Sequence, residues 1–69
     1  MINFAIVGCG FIAKKHVEAI KKIDGAKLIA VCDTDNDRMK PFVNEDNSLQ
    51  SYTDYKQLLL NKDVDVICI

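Results

Sequence analysis

The sequence has no excess of either charge, no hydrophobic run long enough to cross a bilayer and no pair of cysteines spaced to grip a metal. Nine basic residues against ten acidic ones leave a formal net charge of −1 over 69 residues. Without a basic block or an acidic tail, neither nucleic acid nor a membrane surface is expected as a partner. The opening Met1-Ile2-Asn3 lacks the charged and apolar regions of a leader peptide, and no apolar stretch approaches the ~20 residues of a membrane helix, so the expected location is cytoplasmic. Cys9, Cys32 and Cys68 are odd in number, far apart and free of any C-x-x-C pair. They are expected as reduced, mostly buried thiols with no metal site. Repeats, low-complexity tracts and internal linkers are missing too.

A chain of this length buries only ~60% of the surface that it exposes when unfolded. It also ends within the apolar run "VDVICI", Val64 to Ile69, with no polar cap after it. The expectation is that residues 1–69 are the N-terminal part of a longer protein.

What is present is an alternation of two periodicities. Phe4 to Val7 is a short apolar run of the kind a buried strand makes, and residues 3–7 read as that strand. From Phe11 to Ile23 the spacing turns helical, with Ala13, His16, Val17, Ile20 and Ile23 on one face and Lys14, Lys15, Glu18, Lys21 and Lys22 on the other. Gly25 follows as a residue able to take positive φ past a helix end. "KLIAVCD", Lys27 to Asp33, reads as a second strand, and Asp35 or Asn36 caps a second helix through Val43, which Pro41 is expected to kink or shorten. Leu49 to Tyr52 reads as a third strand. Asp54 with Gln57 resembles a capping box for a helix whose Tyr55, Leu58 and Leu59 share a face, and Val64 to Ile69 forms a fourth strand. The order β-α-β-α-β-α-β with short connections predicts an α/β fold with a doubly wound parallel sheet of Rossmann type, truncated after the fourth strand.

Two of the three glycines fall in one turn, "GCGFIA". Gly8-x-Gly10-x-x-Ala13 has the G-x-G-x-x-G/A spacing between a first strand and a first helix. Gly8 permits the tight turn, Gly10 lets a pyrophosphate approach the backbone without meeting a Cβ, and Ala13 lets helix and sheet pack closely. The amides of Phe11 and Ile12 at the helix start then face the phosphates. Glycine-rich turns also join strands to helices with no ligand, so the context decides. Asp33 ends the second strand 23 residues after Gly10, near the spacing of an acid that accepts hydrogen bonds from the adenosine ribose. Such a carboxylate repels a 2′-phosphate, which favours NAD over NADP; Arg38, able to pair with that phosphate, is the counterweight. His16, on the apolar helix face, is expected as a packed side chain away from the nicotinamide, and Cys9 as a small residue pointing inward. Tyr52 and Tyr55 are expected as packing residues.

With "VGCGFIAKKH", "VCDTDNDR", "YTDYKQLL" and "DVDVICI" in this order, the chain resembles the N-terminal domain of the Gfo/Idh/MocA oxidoreductases over essentially all 69 residues. The resemblance implies a nicotinamide cofactor held by Gly8, Gly10 and the Phe11 and Ile12 amides, with Asp33 on the ribose and Thr34 and Arg38 bordering the adenosine. It implies a longer, homo-oligomeric enzyme that oxidises a hydroxyl of a sugar, cyclitol or nucleotide sugar by hydride transfer. The family's catalytic lysine, aspartate and histidine would lie past Ile69, so no residue of this chain is assigned as catalytic and the piece alone is expected to be inactive. Two alternatives stand beside this. One is a non-catalytic regulatory domain that senses the dinucleotide; the other is an α/β folding unit that binds nothing.

Overall fold

A computed structural model describes residues 1–10 and 13–69 of the chain. Its elements run β1 (Ile2–Val7), α1 (Ala13–Lys22), β2 (Ala26–Cys32), α2 (Asn36–Glu45), β3 (Gln50–Tyr52), α3 (Tyr55–Leu59) and β4 (Val66–Cys68). The four strands form one parallel sheet in the order β3-β2-β1-β4. The chain steps outward from β1 to β3 and then returns to the other side of β1. Because parallel crossovers are right-handed, that reversal sends α3 to the opposite face from α1 and α2. Two cores result. Ile6, Leu28 and Val31 pack with Ala13, Val17 and Ile20 of α1 and Met39 and Phe42 of α2, whereas Ala5, Ala30 and Cys32 pack with Leu58 of α3.

The register between β1 and β2 slips once, since Phe4 pairs with Leu28 but Ala5 pairs with Ala30. Ile29 is thus an extra residue in β2, a bulge that shifts the side-chain alternation. The slip explains why Leu28 and Val31, three residues apart, face the same core. β4 is fastened to β1 by a short clasp at its entry. The Asn3 N–H donates to the Asp65 carboxylate at 2.8 Å and its amide group to the Asp63 carbonyl at 3.0 Å, while the Asp65 N–H returns to the Asn3 carbonyl at 2.8 Å.

Helix ends follow local chemistry. Gly25 takes φ +83° after α1, and the Asp35 carboxylate caps α2 by accepting the Asp37 N–H at 2.9 Å. Three expectations change. α2 continues through Pro41 to Glu45, two residues past the expected end. Pro41 is exposed, on the side of the helix where a carbonyl left without a donor can be solvated, while buried Met39 and Phe42 hold the helix on either side. Ile23 lies outside α1 and is half exposed. α3 is little more than one turn, so only Leu58 is buried, and Tyr55 and Leu59 stay exposed. Its cap forms through the Asp54 carboxylate and the Lys56 N–H at 2.9 Å.

Candidate functional site

Parallel strands leave their carboxyl ends to loops, and the crevice lies where neighbouring connections diverge to opposite faces. Here that point falls at the ends of β1, β2 and β4. β1 stops at Val7 and the chain turns through Gly8 at φ +90°, a conformation that costs any residue with a Cβ. The Gly8 N–H donates to the Cys32 carbonyl at 2.8 Å, which holds the turn against the end of β2. A Cβ built on Gly10 would meet nothing among the described residues within 4 Å. The space beside it is open, as a backbone that receives a ligand requires.

Val7, Gly8, Gly10, Ala13, His16, Asp33, Arg38 and Ile69 line an open cavity of about 460 Å³. The fold therefore brings Gly8, Gly10, Asp33 and Arg38 together as the sequence predicts. Thr34 is exposed in the turn between Asp33 and α2 and is not among the residues lining the cavity. Phe11 and Ile12, the expected phosphate-binding amides, lie outside the described residues. His16 departs from expectation. It is half-buried and faces the cavity instead of the core, because it follows Ala13 by one helical turn on the side of α1 that borders the strand ends. The signal was its i+3 spacing from Ala13, which reads equally well as core.

Asp33 is 7% exposed, the one buried charged side chain among the described residues. Its Oδ1 accepts the Asp35 N–H and its Oδ2 the Cys9 N–H, each at 2.8 Å. These two amides hold the carboxyl below its usual range against the opposing effect of burial, with a further contribution from the Arg38 guanidinium. Asp33 is thus a carboxylate at neutral pH, and each oxygen retains lone-pair capacity for another donor. Arg38 is largely exposed, and its Nε lies 3.8 Å from the Asp35 carboxylate. An exposed pair of this kind holds an arginine only weakly. Cys9 is buried as expected. Its thiol donates to the Cys32 carbonyl at 3.7 Å, and burial, aided by the Asp33 and Cys32 charges, pushes it up to about 11. Thiolate chemistry at this turn is therefore suppressed.

Among the described residues no group of three or more metal-ligating side chains is present, and no helix is long and apolar enough to cross a membrane. A second cleft of about 530 Å³ adjoins the first, sharing Gly10 and Arg38 and adding Cys9, Lys14, Pro41 and Phe42. The two adjoin at Gly10, with the Asp33 carboxylate lining the first and Arg38 lining both. Open space beside a glycine backbone, with a carboxylate and a guanidinium next to it, fits a dinucleotide.

Known proteins share this sequence pattern and fold. The family described as "Oxidoreductase family, NAD-binding Rossmann fold" matches residues 2–69. A D-apiose dehydrogenase of Paraburkholderia graminis is 32% identical over 65 residues, covering 94% of this chain and 17% of that protein. The crystal structure of the WlbA dehydrogenase from Chromobacterium violaceum, in complex with NADH and UDP-GlcNAcA, superposes with a TM-score of 0.84 at 37% identity over 96% of this chain and 19% of that one. KijD10, a 3-ketoreductase from Actinomadura kijaniata in complex with TDP-benzene and NADP, superposes at 0.80 with 25% identity, over 96% of this chain and 20% of that one. The chain thus spans about a fifth of the length of these relatives. The glycine turn, the parallel sheet and the match across residues 2–69 place the chain in the Gfo/Idh/MocA oxidoreductase family, within its NAD-binding Rossmann fold.

Proposed function

We propose that residues 1–69 are the N-terminal part of the dinucleotide-binding domain of a cytoplasmic dehydrogenase. In this reading the enzyme oxidises a hydroxyl of a sugar, cyclitol or nucleotide sugar, with NAD preferred to NADP. The observation that carries it is the buried carboxylate of Asp33 on the same cavity as Gly8 and Gly10. The relatives' dehydrogenase and ketoreductase activities, with the D-apiose and UDP-GlcNAcA named for two of them, support the substrate class.

The nicotinamide cofactor, when bound, supplies an acceptor for the hydride that leaves the carbinol carbon as a ketone forms. The chain's own residues bind and orient. Gly8 sets the turn, Gly10 admits a phosphate to the backbone, and the amides of Phe11 and Ile12, which follow Gly10 in the sequence, are the proposed donors to its charge. Asp33 accepts the ribose hydroxyls and repels a 2′-phosphate, while Thr34 and Arg38 border the adenosine. The proton of the substrate hydroxyl needs a base from the rest of the protein, beyond Ile69.

Calorimetry on the full-length gene product tests this. Tighter binding of NAD than of NADP is expected. No binding of either cofactor by the folded protein would overturn the reading, and tighter NADP binding would overturn the preference.

A further inference from the structure

Ribose recognition gives Asp33 one task, and the geometry around it describes a second that needs no ligand. Its carboxylate joins three separate pieces of backbone. Asp33 itself follows the last residue of β2, Oδ1 accepts from Asp35 at the cap of α2, and Oδ2 accepts from Cys9, 24 residues away in the middle of the glycine turn. The Asp35 contact is local and serves the turn that follows β2. The Cys9 contact is long-range and serves the site.

The Cys9 side chain packs into the core beneath α1 and α2, but among the described residues the backbone at the centre of the turn has no other hydrogen bond. The Gly8 N–H on the Cys32 carbonyl secures its entry, and the Cys9 thiol on the same carbonyl, at 3.7 Å, is a weak contact. Glycines on both sides of Cys9 widen the range of conformations open to the segment. A charge-assisted bond to a buried carboxylate is stronger than a neutral one. Asp33 is also the residue that this bond leaves buried and charged, so its two amides are what make that burial tolerable.

We propose that Asp33 is a positioning residue that latches the glycine turn to the end of β2 in its ligand-receiving shape before a cofactor arrives, in addition to accepting the ribose hydroxyls. The cofactor arm of this inference rests on the dinucleotide reading above; the latch itself does not. A turn fixed in advance spares the ligand the entropy of ordering it. The two tasks are compatible, because a carboxylate has about four lone-pair sites and the backbone uses two of them.

The test uses Asp33→Asn and Asp33→Ala in the full-length gene product, with two readouts. The first is amide hydrogen exchange at Cys9 without cofactor. The second is calorimetry with NAD and with its counterpart lacking both hydroxyls of the adenosine ribose. The latch predicts exchange at Cys9 faster by about tenfold or more, confined to residues 8–10 and 35, and the counterpart weakened by a similar factor. Asp33→Asn, which keeps one acceptor and the side-chain shape, should fall between wild type and Asp33→Ala; it also serves where the alanine variant fails to fold. Unchanged exchange at Cys9, with NAD weakened and the counterpart binding as it does to wild type, would overturn the latch and leave Asp33 a ribose acceptor alone. Faster exchange spread evenly over β1 and β2 would also overturn it, as a mere loss of stability. Wild type that binds neither cofactor, with Cys9 exchange still accelerated by Asp33→Ala, would sink the dinucleotide reading and uphold the latch.

Discussion

The two faces of the sheet are built differently. One is covered by two ten-residue helices and lined by large side chains, Ile6, Leu28, Val31, Met39 and Phe42 among them. The other is lined by Ala5, Ala30 and Cys32 under the five-residue α3, whose Leu58 is wholly buried while Tyr55, Leu59 and the C-cap Leu60 stay exposed. Large side chains build a thick layer whose stability spreads over many contacts. On the other face Leu58 is the one fully buried large side chain among the described residues, with Val7, Ile29, Tyr52, Val64 and Ile67 only partly buried around it, and more of that face's stability rests on Leu58. The candidate site lies at the end of the sheet where the connections to these two layers part, so its turn draws rigidity from the thick side.

Truncations break the comparison most severely. Ile6→Ala, on the thick face, is expected to cost about 3 kcal/mol, within the range for emptying a well-packed core position. Leu58→Ala should cost about 2 kcal/mol, at the low end of that range, because its partly exposed surroundings can close over the gap. Urea unfolding of the full-length gene product measures both, and a larger cost at Leu58 would reverse the view that the thick face carries the fold.

The glycine turn allows a sharper contrast. Gly8→Ala forces a Cβ into positive φ and should cost about 1–2 kcal/mol of stability. Gly10→Ala meets no atom of the described residues within 4 Å, so it should leave the unfolding midpoint nearly unchanged yet weaken NAD binding about tenfold or more, the added methyl standing where we propose that a phosphate approaches. Equal effects of the two on stability would remove the distinction between a glycine kept for the turn and one kept for a ligand.

Acid probes the join between β2 and the turn. The Asp33 carboxyl is held below its usual range by the Asp35 and Cys9 amides. Its contribution to stability is therefore complete above the unfolded-state value near ~4 and is lost as pH falls through the lower folded value. Asp33→Asn should remove that part of the acid limb. A stability profile between pH 2 and 5 that matches wild type in shape would show that the bonds contribute nothing. The smallest effect concerns the thiols. Cys9 and Cys32 are buried and Cys68 only partly so, and burial with the nearby Asp33 charge raises the first two. Iodoacetamide at neutral pH should modify Cys68 first, and earlier labelling of Cys9 would contradict the packed turn.

Much of this was legible along the chain because its signals are local. The strand and helical stretches, a cap at Asp35 or Asn36 that falls to Asp35, the tight turn at Gly8, the positive φ at Gly25 and the G-x-G-x-x-A spacing each depend on a few neighbouring residues, and all appear in the structure. Element ends were less legible. Pro41 reads as a break, yet α2 passes through it because Met39 and Phe42 are anchored in the core. Tyr55 and Leu59 read as a buried face, yet α3 is too short to bury more than Leu58. His16 reads as core on its spacing from Ala13, and only the position of α1 over the strand ends turns it toward the cavity.

The sequence by itself determined the order of elements, the glycine turn and the acid that follows the second strand, because each is written in a short window of backbone chemistry. Tertiary structure alone decided that Ile29 bulges out of register, that Leu28 and Val31 share a face, and that the Asp33 carboxylate closes on Cys9. The physical reason is range. Those outcomes depend on how β1 lies beside β2, and residues 24 positions apart leave no periodicity by which one can be read from the other.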